Sequence, residues 1–272
     1  GCRYINMLGT AFPPETLAEA GWIEINADRE VAGFELFGTN DLSLFEGVPL
    51  QTQGQTTLYT AFIPAESGWW TGISIVNPDA GNTEVRIFAY NANGINAYAN
   101  DPVFQYHAVT LNSRTKFVAL VDQLFPDPPL GPVVWLKIET VPARPVTGFV
   151  LYGNFSEGVL CGYPLVGASE RRFRGIVPWL DGTRLIVSNA AGSNTTAVTI
   201  AACDAGGATL GTVSSGAISI RTIKRLDPAE LFGGTVPAGT AFLRWTSSKN
   251  IHLWQEILQD GQGTVVIPLD YE

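Results

Sequence analysis

Three short blocks occur twice in the same order. Trp22-Ile23-Glu24-Ile25 returns as Trp135-Leu136-Lys137-Ile138. Gly33-Phe34-Glu35-Leu36-Phe37-Gly38 returns as Gly148-Phe149-Val150-Leu151-Tyr152-Gly153, and Gly47-Val48-Pro49-Leu50 as Gly162-Tyr163-Pro164-Leu165. The offsets are 113, 115 and 115 residues, and a spacing kept that closely marks an internal repeat. A weaker third copy follows. Phe62-Ile63-Pro64 matches Ile176-Val177-Pro178, and Gly72-Ile73-Ser74-Ile75-Val76-Asn77 matches Arg184-Leu185-Ile186-Val187-Ser188-Asn189. Val266-Ile267-Pro268-Leu269 matches Gly162-Tyr163-Pro164-Leu165. The 272 residues divide into a half repeat at 1–56, a full copy at 57–167 and a full, diverged copy at 168–272.

Each full copy alternates apolar and polar residues with period two and favours β-branched and aromatic side chains, as in Glu84-Val85-Arg86-Ile87-Phe88-Ala89-Tyr90 and Ala197-Val198-Thr199-Ile200. Turn clusters at Asn77 to Asn82, Asn91 to Gly94 and Asn189 to Asn194 separate the runs. Helix is scarce. Asp227-Pro228-Ala229-Glu230 carries an N-cap Asp, Pro at the first helical position and Glu at the third. The matching segments Leu120 to Phe125 and Pro14 to Ala20 predict one short helix per repeat. The fold class is all-β, and two architectures fit it. One is a string of tandem immunoglobulin-like β-sandwiches. The alternative splits each repeat into two sheets, giving a five-bladed β-propeller. The unequal lengths of the two halves favour the sandwiches.

This order of blocks resembles a tandem β-rich repeat of bacterial secreted and surface proteins. Its pattern runs from an apolar-Pro start through Trp-x-Thr/Ser-x-Ile, an Asn-Pro turn and Val-x-Ile-x-Ala-Tyr to Gly-Phe-x-Leu-Phe/Tyr-Gly and Gly-x-Pro-Leu. Residues 57–167 carry all of it, residues 1–56 its second half, and residues 168–272 a degraded version. The resemblance implies an extracytoplasmic accessory module (secreted, periplasmic or at the cell surface) and no particular activity.

The net charge of −9 excludes the basic stripe that nucleic acid needs, and no run approaches the roughly 18–20 apolar residues of a membrane span. Cys2 can be read as a lipid-anchored residue or as an ordinary one, and the missing signal context favours the ordinary reading. Cys161 and Cys203 stand in apolar runs and read as small buried residues.

Two histidines and no GxSxG elbow give no sign of a catalytic triad, so His107 and His252 are expected as strand histidines. Residues 1–50 hold eight acids against Arg3 and Arg29. On alternating strand positions these form a solvated face; paired across propeller blades they would serve a glycosidase-like enzyme. Asn77, Asp79 and Asn82 offer oxygen ligands in a tight loop, read either as a calcium site or as a turn that caps its own backbone. Trp22 and Trp135 are expected in the core. Trp69, Trp179 and Trp254 do not recur between copies. Setting Leu253 against Phe149 as inward-facing puts His252, Trp254 and Glu256 together on the opposite strand face. Such a face suits a polar ring, which makes Trp69, Trp179, His252, Trp254 and Glu256 the candidate ligand-binding residues; the competing reading is an inter-domain contact. The basic residues Arg171, Arg172, Arg174, Arg221, Lys224 and Arg225 form a solvated face or dock the acidic first segment. The function expected first is therefore a non-catalytic β-repeat module for adhesion, spacing or interaction with another surface protein. A glycan-binding module and an enzyme are the alternatives.

Overall fold

The computed structural model describes residue 13 and residues 21–29, 31–39, 44–101, 103–190, 192–259 and 262–266. The fold is all-β, with every strand pairing antiparallel. An N-terminal hairpin joins β1 (Phe34–Gly38) to β2 (Phe45–Pro49). The first full unit contains β3 (Thr57–Tyr59), β4 (Trp70–Val76), β5 (Thr83–Tyr90), β6 (His107–Leu111), β7 (Lys116–Leu120), helix α1 (Val121–Leu124), β8 (Trp135–Val141), β9 (Thr147–Asn154), β10 (Val159–Pro164) and β11 (Val166–Gly167). The second contains β12 (Arg172–Pro178), β13 (Thr183–Ser188), β14 (Val198–Cys203), β15 (Thr209–Ser214), β16 (Ile223–Leu226), helix α2 (Pro228–Leu231), β17 (Phe242–Gln259) and β18 (Gln262–Val266).

In the first unit one sheet runs β10-β9-β4-β7 and the other β11-β3-β8-β5-β6. The second unit has the same plan with one difference. Its sheets run β18-β17-β13-β16 and β12-β17-β14-β15, and the 18-residue β17 serves both. The difference has a local cause. In the first unit Pro142 and Pro145 separate β8 from β9, because proline lacks the N–H a ladder needs and breaks the strand. Ser247-Ser248-Lys249-Asn250 stands at the corresponding place in β17, and the strand continues through it. Chain neighbours cross between sheets instead of forming four-stranded meanders, so the propeller alternative is set aside.

Each unit closes over its own core. Ile73, Ile75, Val150, Val85, Ile87, Leu136 and Ile138 face one another across the first sandwich; Leu185, Val187, Leu253, Val198, Ile200, Leu243 and Trp245 do so across the second. Trp135 is buried and stacks on Tyr90, with centroids 4.0 Å apart. Trp22 is not in the core. It lies half-buried outside any strand and donates from Nε1 to the Arg114 carbonyl at 3.1 Å. Its segment resembles β8 in sequence, but among the described residues the flanking strands that would extend its ladder are missing.

Helix α2 is built as its cap residues require. The Asp227 carboxylate accepts from the amides of Ala229 (2.8 Å) and Glu230 (3.4 Å), with Pro228 at the helix start. The match at Leu120 to Phe125 is helix α1, whereas Pro14 to Ala20 and Cys2 lie outside the described residues. Cys161 and Cys203 are buried free thiols.

The turns after β4 and β13 use one device twice. Asn77 is fully buried, and its amide donates to the carbonyls of Gly81 (2.8 Å) and Asn112 (3.0 Å). Asn189, equally buried, donates to Asn194 (2.9 Å), Ser219 (3.1 Å) and Ile218 (3.2 Å). Asn77 also donates to the carbonyl of buried Leu111 at 3.4 Å, and replacing it by Ala strands that group together with the two part-buried carbonyls. An unsatisfied buried group costs about 1–3 kcal/mol, so Asn77→Ala should lower the urea midpoint by a corresponding amount with an unchanged m-value. An unchanged midpoint would show that the amide is not needed there.

Candidate functional site

Among the described residues, buried polar and aromatic side chains gather where the second unit meets the first. In β17, Leu253 faces the second core, and the alternate residues His252, Trp254 and Glu256 project from the opposite sheet face. Ile186 on β13 pairs with both Trp254 and Arg225, so all three share that face. It packs on the first unit: Trp254 and Ile186 belong to the first unit's hydrophobic cluster, not the second's.

Glu256 is completely buried. One carboxylate oxygen accepts from the Tyr152 hydroxyl at 2.7 Å. The other accepts from Arg225 Nε at 2.7 Å and stands 2.5 Å from Arg225 Nη2 in an ion pair. The Arg225 guanidinium also sits 5.3 Å from the centroid of the Phe62 ring, a cation–π contact between the units. Burial holds the phenols of Tyr152 and Tyr163 and the Cys161 thiol well above their ordinary values, so all three stay protonated. The Tyr152 hydroxyl is therefore a neutral donor to an acceptor that Arg225 holds.

Trp254 and His252 complete the contact on the same face. The Trp254 ring lies 6.5 Å from Tyr163 and 5.5 Å from His252, and His252 lies 5.6 Å from Tyr59. His252 Nε2 stands 2.9 Å from the Gly167 carbonyl oxygen, which assigns the ring proton to Nε2, while Nδ1 is buried without a partner. Burial above all, opposed by the Gly167 carbonyl and reinforced by Arg171 and Arg172, brings the His252 pKa from 6.5 down to about 4.

A histidine depressed in the folded state costs stability on the acid side. The unfolded chain takes up a proton as pH falls through 6.5, the folded chain only near 4, so stability is full above 6.5 and declines between the two values. The full difference corresponds to about 3 kcal/mol. His252→Gln should flatten the decline in unfolding free energy between pH 7 and pH 5, above the range in which carboxylates titrate. Equal slopes in both proteins would place the acid sensitivity elsewhere.

Of the five candidate ligand residues, four come together. His252, Trp254 and Glu256 form the contact, and half-buried Trp69 joins it through Tyr152, 5.9 Å between rings. Trp179 is apart, half-buried against the second core. These are not exposed platforms, and the face carrying His252, Trp254 and Glu256 is spent on the first unit. The strand register sets Leu253 one residue away from the match to Phe149 that the sequence suggests. Ile73 pairs with Val150 and Leu185 with Gln255, so Gly148 corresponds to Leu253 and Phe149 to Trp254.

The oxygens proposed for calcium are committed elsewhere. Asn77 Oδ1 accepts from the Asp79 amide (3.1 Å), Asp79 Oδ1 from the Gly81 amide (3.0 Å), and Asn82 Oδ1 from the Ser113 amide (2.9 Å). Asp79 also pairs with Arg144 at 3.1 Å, and the Gly81 amide and Arg144 hold its carboxyl below the usual value. Among the described residues no three His, Cys, Asp or Glu side chains gather as metal ligands. His107 is a half-buried strand histidine beside Phe117. Of the acids in the first segment, Glu24 is exposed and pairs with Arg114 at 3.2 Å, but Glu46 is buried against β10, contrary to a wholly solvated face. An open cavity of about 320 Å³, lined by Arg171, Ser193, Asn194, Ser248, Lys249 and Asn250, lies among the loops of the second unit.

The fold and this contact define an all-β protein of two sandwiches joined through a buried ionic and aromatic interface. No family model and no curated protein matches the chain. Among solved structures, a glycosyl hydrolase family 2 member from Bacteroides cellulosilyticus is similar at 9% identity with a TM-score of 0.20. The match covers 79% of this chain and 28% of that one, so the chain spans less than a third of that structure's length. No helix among the described residues is long and apolar enough to cross a membrane.

Proposed function

We propose that the chain is a non-catalytic β-repeat module of the extracytoplasmic space, acting as a spacer and in adhesion or protein interaction. The observation that supports it is the use made of its most chemically capable residues. Glu256, Arg225 and Tyr152 bond to one another across the contact between the units, His252 Nε2 is held by the Gly167 carbonyl, and Trp254 fills that contact. An interface of this kind resists bending between domains, whereas linked sandwiches without one move independently. The resemblance to a repeat of secreted and surface proteins supports the location.

The test is calorimetric titration of the purified chain with neutral and acidic oligosaccharides, together with assay on chromogenic glycosides. This reading expects no saturable heat and no turnover. A saturable signal abolished by Trp69→Ala or Trp179→Ala would overturn it in favour of a glycan-binding module.

A further inference from the structure

The N-terminal hairpin exposes a face that is covered at the equivalent place in the first unit. Hairpins β1–β2 and β9–β10 have the same register: Phe34↔Pro49, Leu36↔Gly47 and Gly38↔Phe45 in one, Phe149↔Pro164, Leu151↔Gly162 and Gly153↔Leu160 in the other. On β9–β10 the face carrying Leu151 and Gly162 is seated on β2. A Cβ at Gly162 would stand 2.9 Å from Val48 Cγ2 and 3.1 Å from Glu46 Cγ, so glycine is required for the hairpins to approach. The same relation occurs once more. The corresponding face of the second unit, with Trp254 and Glu256, is seated on Tyr163 and Tyr152, and Tyr163 is the equivalent of Val48. In both cases a hairpin offers its other face to the next unit, and β10 is buried on both sides between them.

Among the described residues nothing covers the equivalent face of β1–β2. Phe34 is 67% exposed, Leu36 61% and Phe45 55%. Among the described residues, a Cβ at Gly47 would meet only Leu36 Cδ2 at 3.4 Å and Phe34 Cδ2 at 3.6 Å, both from its own hairpin. An apolar cluster of this kind on a strand face marks an interaction surface. We infer that this face docks the β17–β18 hairpin of a second copy of the chain, head to tail. Continuity argues for that occupant. Each covered copy of the face is covered by the hairpin of the preceding unit, and β17–β18 is the equivalent hairpin of the second unit. The contact is heterologous, so it builds an open series and not a closed pair. The inference deepens the interaction reading above and rests on it.

Sedimentation velocity of the full chain, from low micromolar to hundreds of micromolar, tests it with two variants. Leu36→Glu places a charge on the face. Gly47→Val fills the seat while meeting only its own hairpin. The wild type should show a weight-average sedimentation coefficient that climbs with concentration past the dimer, and each variant should weaken association at least tenfold with an unchanged circular dichroism spectrum and melting temperature. A wild type that stays monomeric, a series that stops at a closed dimer, or association that survives both substitutions would overturn the inference. A monomer with no glycan binding would sink the self-docking alone and leave the spacer reading standing.

Discussion

Replacing Glu256 by Ala should destabilise the chain by about 3–5 kcal/mol, the range for removing one partner of a buried ion pair. The substitution leaves the Tyr152 hydroxyl buried without its acceptor and the Arg225 guanidinium without its counter-charge. Arg225 retains 23% exposure and can turn partly to water, which puts the expected loss toward the lower end. The energy belongs to the arrangement and not to the carboxylate alone. Combining Glu256→Leu with Arg225→Met and Tyr152→Phe removes all three bonded polar groups at once and should recover much of the loss, because none of the three then leaves a partner buried and unsatisfied. Urea unfolding of the single and triple variants measures this. A triple variant that loses the sum of the single effects would mean that the three groups act independently.

Trp254→Ala should cost a similar amount, about 3–5 kcal/mol, by removing a large side chain that is 1% exposed. The site of the loss distinguishes it from a core mutation. Trp254 packs with the first unit's cluster, against Tyr163, while Leu185, Val187 and Leu253 close the second core behind it. The cavity therefore opens between the units, and hydrogen exchange should accelerate first at β10 and at the second half of β17. Acceleration confined to the second core, around Leu243 and Trp245, would contradict this placement.

Much of the fold was legible in the chain because strand alternation and turn chemistry are local. Asn77 and Asn189 announced their turns, Asp227-Pro228 its helix, and the period-two runs their buried faces. The contact was only half legible. Alternation put His252, Trp254 and Glu256 on one face, but it does not say what a face meets. Arg225 is read from the sequence as part of a solvated or docking basic face and in the structure pairs with Glu256 instead; Tyr152 and Tyr163 were missed because these partners of the face come from a segment about a hundred residues away, and the one-residue slip between Phe149 and Gly148 hid the correspondence. A signal was present. Glu256 stands where the first unit has Leu151, and an acid replacing an apolar residue on a strand face asks for a buried partner. The first segment was misjudged for a related reason. Its Trp22 block copies β8 in sequence, yet a strand forms only where neighbours can take up its N–H and C=O groups.

The central claim is that the buried contact makes the two sandwiches one mechanical body. Differential scanning calorimetry of the wild type beside Glu256→Ala tests it most directly. The wild type should show a single transition, with calorimetric and van't Hoff enthalpies in agreement, and the variant two resolved transitions as each unit melts over its own core. Two independent transitions already present in the wild type would contradict it.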